Sequence, residues 1–318
     1  MRKLVATLAV VLALAAAAVA PAEAAYPDKD ITIIVHAAPG GGSDFVARTT
    51  AQFAAPILGV RINVINRTGG GGSVGMSAVM HSAPDGYTVG YVPVELAMLK
   101  HLGYANIDPK NFDLIMRINA MPAALTVRAD SPYQTAADFI AAAQAKPNTL
   151  TIANSGPGSI WHLAAAALED AAGIQVRHIP FDGAAPAVAA LLGGNVDAVT
   201  VSPAEVLPHV QAGTVRVLAV MDRERSSMVP DVPTFKELGY DLEIMAWGGF
   251  AVPKGTPAEI RQIIHDAFKQ AYDQPEFQKA LADRGIAPGY MDPEEFREFV
   301  DSQTELFGRL LRQTGLAK

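Results

Sequence analysis

Ile31-Thr32-Ile33-Ile34-Val35-His36-Ala37-Ala38-Pro39-Gly40-Gly41-Gly42-Ser43-Asp44 reads as a β-branched strand that runs through a glycine-rich turn into a helix. The pattern recurs along the chain. Further β-branched runs lie at Arg61 to Ile65, Thr88 to Val92, Thr149 to Ile152, Val176 to Ile179, Val196 to Val201 and Val215 to Val220, separated by alanine- and leucine-rich stretches. A spacing of roughly 20 to 40 residues suits strand, crossover helix, strand units, so the reading is an α/β protein with mostly parallel sheets. The turns Gly69 to Gly75, Asn154-Ser155-Gly156-Pro157-Gly158-Ser159 and Phe181-Asp182-Gly183 also follow strands. They fall at the carboxyl ends of those strands, where open α/β sheets bind ligands.

The first residues and the composition narrow the class of function. Met1-Arg2-Lys3, an uncharged apolar run from Leu4 to Ala20, and Ala22-Glu23-Ala24 predict a secretory signal peptide over 1–24, cleaved near Ala24, rather than a retained anchor. There is no cysteine, hence no disulfide and no lipid-modified cysteine, and the mature protein is expected in the periplasm. Removing Arg2, Lys3 and Glu23 takes the net charge from −7 to −8, an acidic balance that disfavours nucleic acid and anionic headgroups. No later segment is long and apolar enough to span a bilayer, and a chain of this length suits two domains.

The turn from Pro39 to Asp44 has the composition of an anion nest. Three glycines let successive N–H groups face one concavity at a helix N-terminus. Ser43 or Asp44 can instead act as helix cap. The turn lacks the Gly-Lys-Ser/Thr ending of a nucleoside-triphosphate loop. The turn from Ser155 to Ser159 repeats the design with added hydroxyls, and His162 lies one helical turn beyond it. Trp161 suits either the core or a cleft wall.

Gly70, Gly72 and Gly75 match a dinucleotide fingerprint, with Glu95 about 20 residues further on, and Gly71-Gly72-Ser73-Val74-Gly75 matches a nucleophile elbow. Neither context fits. The fingerprint falls on the second strand-turn-helix unit, and Ser73 stands about eight residues beyond the strand end at Ile65, whereas an elbow turns directly off its strand. A flexible loop or a backbone contact with ligand remains. His36, His162, His178, His209 and His265 are scattered singly, so neither a metal site nor a catalytic triad is expected, and no cofactor. In the tail, Thr256-Pro257-Ala258-Glu259, Asp273 with Glu276, and Asp292-Pro293-Glu294-Glu295 read as capped helix starts.

With Ala38 to Asp44 followed by Ala47-Arg48, Asn66-Arg67 before a glycine run, and Pro84-Asp85-Gly86-Tyr87, the chain resembles the substrate-binding proteins of tripartite tricarboxylate transporters, the Bug family. Asn154-Ser155-Gly156-x-Gly158-Ser159-x-x-His162-Leu163, Gly183-x-x-Pro186-Ala187, Leu192-Gly193-Gly194-x-Val196-Asp197, Pro230 to Thr234 and Pro253-x-Gly255-Thr256-Pro257 extend the match over nearly the whole mature chain. The resemblance implies a two-domain periplasmic binding protein of the Venus-flytrap type, domain 1 at 25–126 plus 248–318 and domain 2 at 127–247, with a ligand cleft between them. It implies no enzymatic reaction, a small di- or tricarboxylate ligand, membrane permease subunits as partners, and a monomer. Two glycine pincers would grip the carboxylate through backbone N–H groups: Gly40, Gly41, Gly42, Ser43 and Asp44 on one side, and Ser155, Gly156, Gly158, Ser159 and His162 on the other, while Gly72 of the glycine run is a separate candidate for backbone contact. Asp182, Gly183, Ser202 and Glu205 would line the same cleft. A ligand-sensing receptor for a membrane kinase is the alternative, and a secreted serine esterase using Ser73 the remote one. Many family members carry an aromatic at the position of Ala37 and a basic residue near Asp182. An aspartate there suggests a hydroxy- or amino-substituted acid, whereas Trp161 and Ser202 to Glu205 resemble the tricarboxylate branch.

Overall fold

The computed structural model describes residues 26–181 and 183–318, and it resolves them into two mixed sheets with flanking helices. The signal peptide expected over 1–24 and its cleavage site lie outside the described residues.

In the first sheet β1 (Ile31–Val35) is central and pairs in parallel with β2 (Ile62–Asn66) and β3 (Thr88–Pro93). Beyond β3 the sheet turns antiparallel. β10 (Met245–Pro253) pairs with β3, β4 (Phe112–Pro122) with β10, and β11 (Pro288–Met291) with β4, giving the order β11-β4-β10-β3-β1-β2. The second sheet repeats the plan: β6 (Thr151–Asn154) lies between parallel β7 (Arg177–Pro180) and β8 (Ala198–Val201), and β5 (Ala124–Arg128) joins β8 to β9 (Val215–Val220) by antiparallel pairing. Both sheets are therefore mixed rather than mostly parallel. The long strands responsible, β4 with Phe-Asp-Leu-Ile-Met-Arg-Ile-Asn-Ala-Met-Pro and β10 with Met-Ala-Trp-Gly-Gly-Phe-Ala-Val-Pro, carry few β-branched residues and no alternation, because both faces are covered.

Helices α1 (Gly42–Leu58) and α2 (Ser73–Met80) follow β1 and β2. In the second half α3 (Ala136–Ala145), α4 (Ile160–Ala172), α5 (Ala184–Leu192) and α6 (Pro203–Gln211) surround the other sheet, and α7 (Ala258–Tyr272), α8 (Pro275–Asp283) and α9 (Pro293–Gln313) return to the first. One apolar core runs from the inner face of the first sheet through Trp247 and Phe296 into the second sheet, and a separate one fills the other face of the first sheet around Phe250 and Phe268. Of the three expected helix starts, Asp292 caps as read, accepting from the N–H groups of Glu294 and Glu295 at 2.9 Å. The other two do not. The hydroxyl of Thr256 donates to the carbonyl of Pro253, and Asp273 pairs with Lys269, so neighbouring partners outcompete the cap.

The chain passes between the sheets twice, through Ala123 and through 221–244. The passages are stitched together: Ala123 N–H donates to Ile244 at 2.8 Å, Met221 N–H to Ala123 at 2.8 Å, and Ile244 N–H to Met221 at 3.0 Å. The boundary expected at 126/127 falls inside β5, and that at 247/248 inside β10. Among the described residues, no helix is long and apolar enough to cross a membrane.

Candidate ligand site

Strand β1 ends at Val35, and the chain climbs through Pro39 and Gly40 into the first turn of α1. Gly40 has φ of +83°, a left-handed conformation that a side chain would strain. Its N–H donates to Asp44 Oδ2 at 2.9 Å, while Arg48 Nε approaches both Asp44 oxygens at 3.0 Å and Asn66 Nδ2 donates to Oδ1 at 2.8 Å. Asp44 is 3% exposed. Burial works to raise its pKa, but Arg48, Gly40 and Asn66 together outweigh it and hold the carboxyl below its usual value. Asp44 thus clamps the turn from behind and leaves the helix end uncapped. Gly41 stands at the N-cap with no side-chain partner, and the N–H groups of Gly42, Ser43 and Asp44 meet no acceptor among the described residues. Orphan donors at the positive end of a helix dipole are chemically suited to an anion.

Gly42 and Ser43 open on a cavity of about 240 Å³. Its floor is His36, Tyr91, Pro93, Val94 and Glu95 from the ends of β1 and β3, with Asn119, Met121, Ala246 and Trp247 from β4 and β10. Ile160, the first residue of α4, and Ile286 close it over, so both halves of the chain contribute. Tyr91 donates to Asn119 Oδ1 at 2.8 Å and stacks with His36 at 6.1 Å between centroids. Burial pushes the Tyr91 phenol up, opposed by its hydrogen-bonding neighbours Ser43 and Asn119 and reinforced by Glu95. His36 Nδ1 and Trp247 Nε1 are buried without partners among the described residues. Gly72 backs this wall: it is the buried N-cap of α2, and a Cβ there would sit 3.1 Å from the His36 ring.

The second glycine turn leads into α4, whose first residue, Ile160, borders the cavity. Ser159 caps that helix, its hydroxyl accepting from His162 N–H at 3.1 Å, and the N–H groups of Ile160 and Trp161 remain open. The N–H groups of Gly156 and Gly158 are already used, by Asn154 Oδ1 and by His162 Nδ1, both at 3.1 Å. His162 therefore supports the turn from beneath. Its ring lies 4.8 Å from that of His178 and lines a different, outer groove of about 510 Å³ with Glu169, Asp170 and Gln313. That groove is larger but receives no uncapped helix end. Trp161 is core, and its carbonyl accepts from Thr200. At the strand ends beneath the turn, Asn154 Nδ2 is buried with no partner among the described residues, and Ser202 and Glu205 cap α6 reciprocally, Glu205 accepting from Ser202 N–H at 2.8 Å. Ser155 and Gly183 sit at the surface of their turns, Gly183 as the uncapped start of α5. Asp182 lies outside the described residues.

Sequence reasoning did not single out Tyr91, Asn119 or Trp247, which line the cavity from within strands, and it quoted Asn154 only as the first residue of its turn. Among the described residues no group of three or more His, Cys, Asp or Glu could hold a metal ion.

His36 and His162 make acid a destabilising condition. Burial is the main cause of a pKa lowered to about 4 in each, aided at His162 by His178. Between that value and the ordinary value near 6.5, the unfolded chain binds protons that the folded chain refuses, so stability falls as pH falls. Raised carboxyls at Glu95, Glu205 and Asp222 act in the opposite sense. His36→Gln is therefore expected to flatten the decline in melting temperature from pH 6.5 to 4.5, by the equivalent of about 2 kcal/mol. A decline as steep as in the wild type would show that His36 does not titrate in this way.

Residues 46–316 match the family model described as a tripartite tricarboxylate transporter family receptor. The "UPF0065 protein in gbd 5'region" of Cupriavidus necator is 35% identical over 92% of this chain and 90% of its own length. A TctC solute-binding protein from Polaromonas, solved without ligand, superposes with a TM-score of 0.88 at 37% identity, covering 91% of this chain and 99% of that one. MatC from Rhodopseudomonas palustris, solved with bound malate, has a TM-score of 0.67 at 27% identity over 90% of this chain and 100% of its own.

Proposed function

Since the chain belongs to the tripartite tricarboxylate transporter family of receptors and is a solute-binding protein of that family, we propose that it captures a small organic di- or tricarboxylate in the periplasm, between its two sheets. The closed form is then presented to the membrane permease subunits of such a transporter. One observation carries the ligand class: the uncapped N-terminus of α1, whose free N–H groups at Gly42, Ser43 and Asp44 open on a cavity shared by both halves. The relative with bound malate supports the same class.

In this reading the carboxylate rests on those donors, and α4 brings Ile160 and Trp161 N–H against it from the other side, with Asn154 and Ser202 behind. Gly40, Gly41, Gly72, Gly156, Gly158, Asp44 and His162 shape the two turns, and Ser155, Ser159 and Gly183 edge the cleft. The two domains meet at the stitched passages around Ala123 and Ile244, which serve as the hinge. No reaction follows capture. Ser73 is the first residue of α2, well past the end of β2, and so does not stand on a turn directly off its strand. The chain acts as a monomer after export and removal of 1–24.

A thermal-shift series over citrate, malate, aspartate, aromatic acids and uncharged analogues tests the proposal. Binders at 100 times their dissociation constant are expected to stabilise by about 2.7 kcal/mol. Stabilisation by uncharged or cationic compounds alone would overturn the carboxylate reading.

A further inference from the structure

Glu95 has no part in holding an anion, yet it stands in the anion cavity. It follows β3 in a single 3-10 turn, Val94–Ala97, and lines the cavity opposite the first turn of α1. Among the described residues its carboxylate takes part in no ion pair and accepts no hydrogen bond from another residue's side chain. The cavity wall contains no lysine or arginine. Its one basic group is His36, which burial keeps neutral near neutral pH, and the remaining titratable neighbour, Tyr91, is likewise held neutral. Burial raises the Glu95 pKa, opposed only by a hydrogen bond from its own backbone N–H, so no cationic group offsets the lost water.

Even a half-buried charge such as that of Glu95 is retained at a cost unless something pairs with it. Closing the cleft over a ligand carboxylate would add a second negative charge to a space with no cationic side chain. The same wall holds unused donors, Trp247 Nε1 and Asn119 Nδ2, while Asn119 Oδ1 is occupied by Tyr91. What the wall lacks is a cation.

We propose that Glu95 is the subsite for a ligand ammonium group, so that the solute is an amino-substituted carboxylate whose acid group sits on the N-terminus of α1. This rests on the carboxylate-receptor reading and narrows it. The ligand's positive charge balances Glu95, and the polar atoms left on the ligand accept from Trp247 and Asn119. Glu95 then selects among acids of similar size: a hydroxyl in place of the ammonium keeps a donor but leaves the charge unbalanced, and a methylene gives neither.

Calorimetric titration with matched unsubstituted, hydroxy- and amino-substituted diacids of four to six carbons, at pH 7, tests the proposal in the wild type without any variant. The amino member of one chain length is expected to bind at least about 10-fold more tightly than its hydroxy and unsubstituted counterparts. Glu95→Gln, of the same shape, is expected to weaken the amino acid by about 10- to 100-fold while keeping or improving affinity for the unsubstituted acid. Its melting temperature should equal or exceed that of the wild type, since an unpaired charge is removed. Preference of the wild type for an unsubstituted or hydroxy acid, or an amino preference that survives in Glu95→Gln, overturns the assignment of Glu95 and leaves the carboxylate reading standing. Failure of every acid to bind while uncharged compounds do overturns both.

Discussion

Gly42→Asp is expected to weaken carboxylate binding by about 100- to 1000-fold while leaving the melting temperature unchanged or slightly raised. Gly42 is the first residue of α1, and a Cβ there would have Ile286 Cδ1 at 4.0 Å as its nearest neighbour, so the side chain has room. An aspartate in a first helical turn favours the helix by about 0.3–1 kcal/mol. The same charge stands where the proposed carboxylate would sit. Two like charges about 4 to 5 Å apart at an effective dielectric near 20 repel by roughly 3 to 4 kcal/mol, which sets the expected factor. Gly42→Asn separates charge from bulk: it should lose less than about 10-fold, since it has the same shape and no net charge. Calorimetry gives affinity and a thermal melt gives stability. Equal binding by Gly42→Asp and wild type would mean that the end of α1 does not hold the anion.

The parallel part of each sheet was legible because it is written in β-branched residues followed by glycine turns. Ile31 to Val35 runs into Gly40 to Gly42, and Thr149 to Ile152 runs into Ser155 to Ser159; each turn does open a helix. Most of the antiparallel part was not legible, β9 at Val215–Val220 excepted. β4 and β10 are buried on both faces, so they lose the alternation that marks a strand, and β10 contains two adjacent glycines that read as a break. Tertiary pairing across the sheet, with register shifts at Gly248/Gly249 and Phe250/Ala251, makes them strands. The passages between the sheets were misplaced by a few residues for the same reason, since Thr126 and Trp247 sit within elements that local composition did not announce.

The site divides in the same way. The glycines were visible, because a need for φ > 0 and for open N–H groups leaves a compositional trace. Their supports were visible only as motif letters: Arg48 and Asn66 mattered because both reach Asp44, 4 and 22 positions away. His162 shows how a residue can be placed correctly beside a turn and still face away from the cavity, because its ring nitrogen is spent on Gly158. Glu95 stood at the spacing of a ribose-binding acid, a match that glycine-rich runs produce freely. Its significance comes from the missing partner, and that is a property of three-dimensional surroundings alone.

Gly248→Ala carries the largest expected effect on stability, and the reason lies in the floor of the cavity. Gly248 is on β10, opposite Pro93 of β3 and Asn119 of β4, next to the register shift. A Cβ there would collide with the hydroxyl and ring of Tyr91 and come within 2.7 Å of Asn119 Oδ1. Tyr91 can yield only toward the cavity that it lines. It is 4% exposed, stacked on His36, and set edge-on to Phe250 at 5.6 Å. Either β10 shifts or the Tyr91–Asn119 hydrogen bond breaks, and overpacking of this kind costs about 2 to 4 kcal/mol, or roughly 5 to 12 °C in melting temperature. Ligand affinity should fall with it, because both displaced groups line the cavity. Tyr91→Phe removes the colliding hydroxyl. Alone it should cost about 1 kcal/mol for the lost hydrogen bond, whereas in the Gly248→Ala background it should recover part of the stability, a coupling that a double-mutant cycle measures directly. A cost below about 0.5 kcal/mol for Gly248→Ala, or strict additivity of the two changes, would mean that the strand has slack and that the glycine is not there to seat the tyrosine.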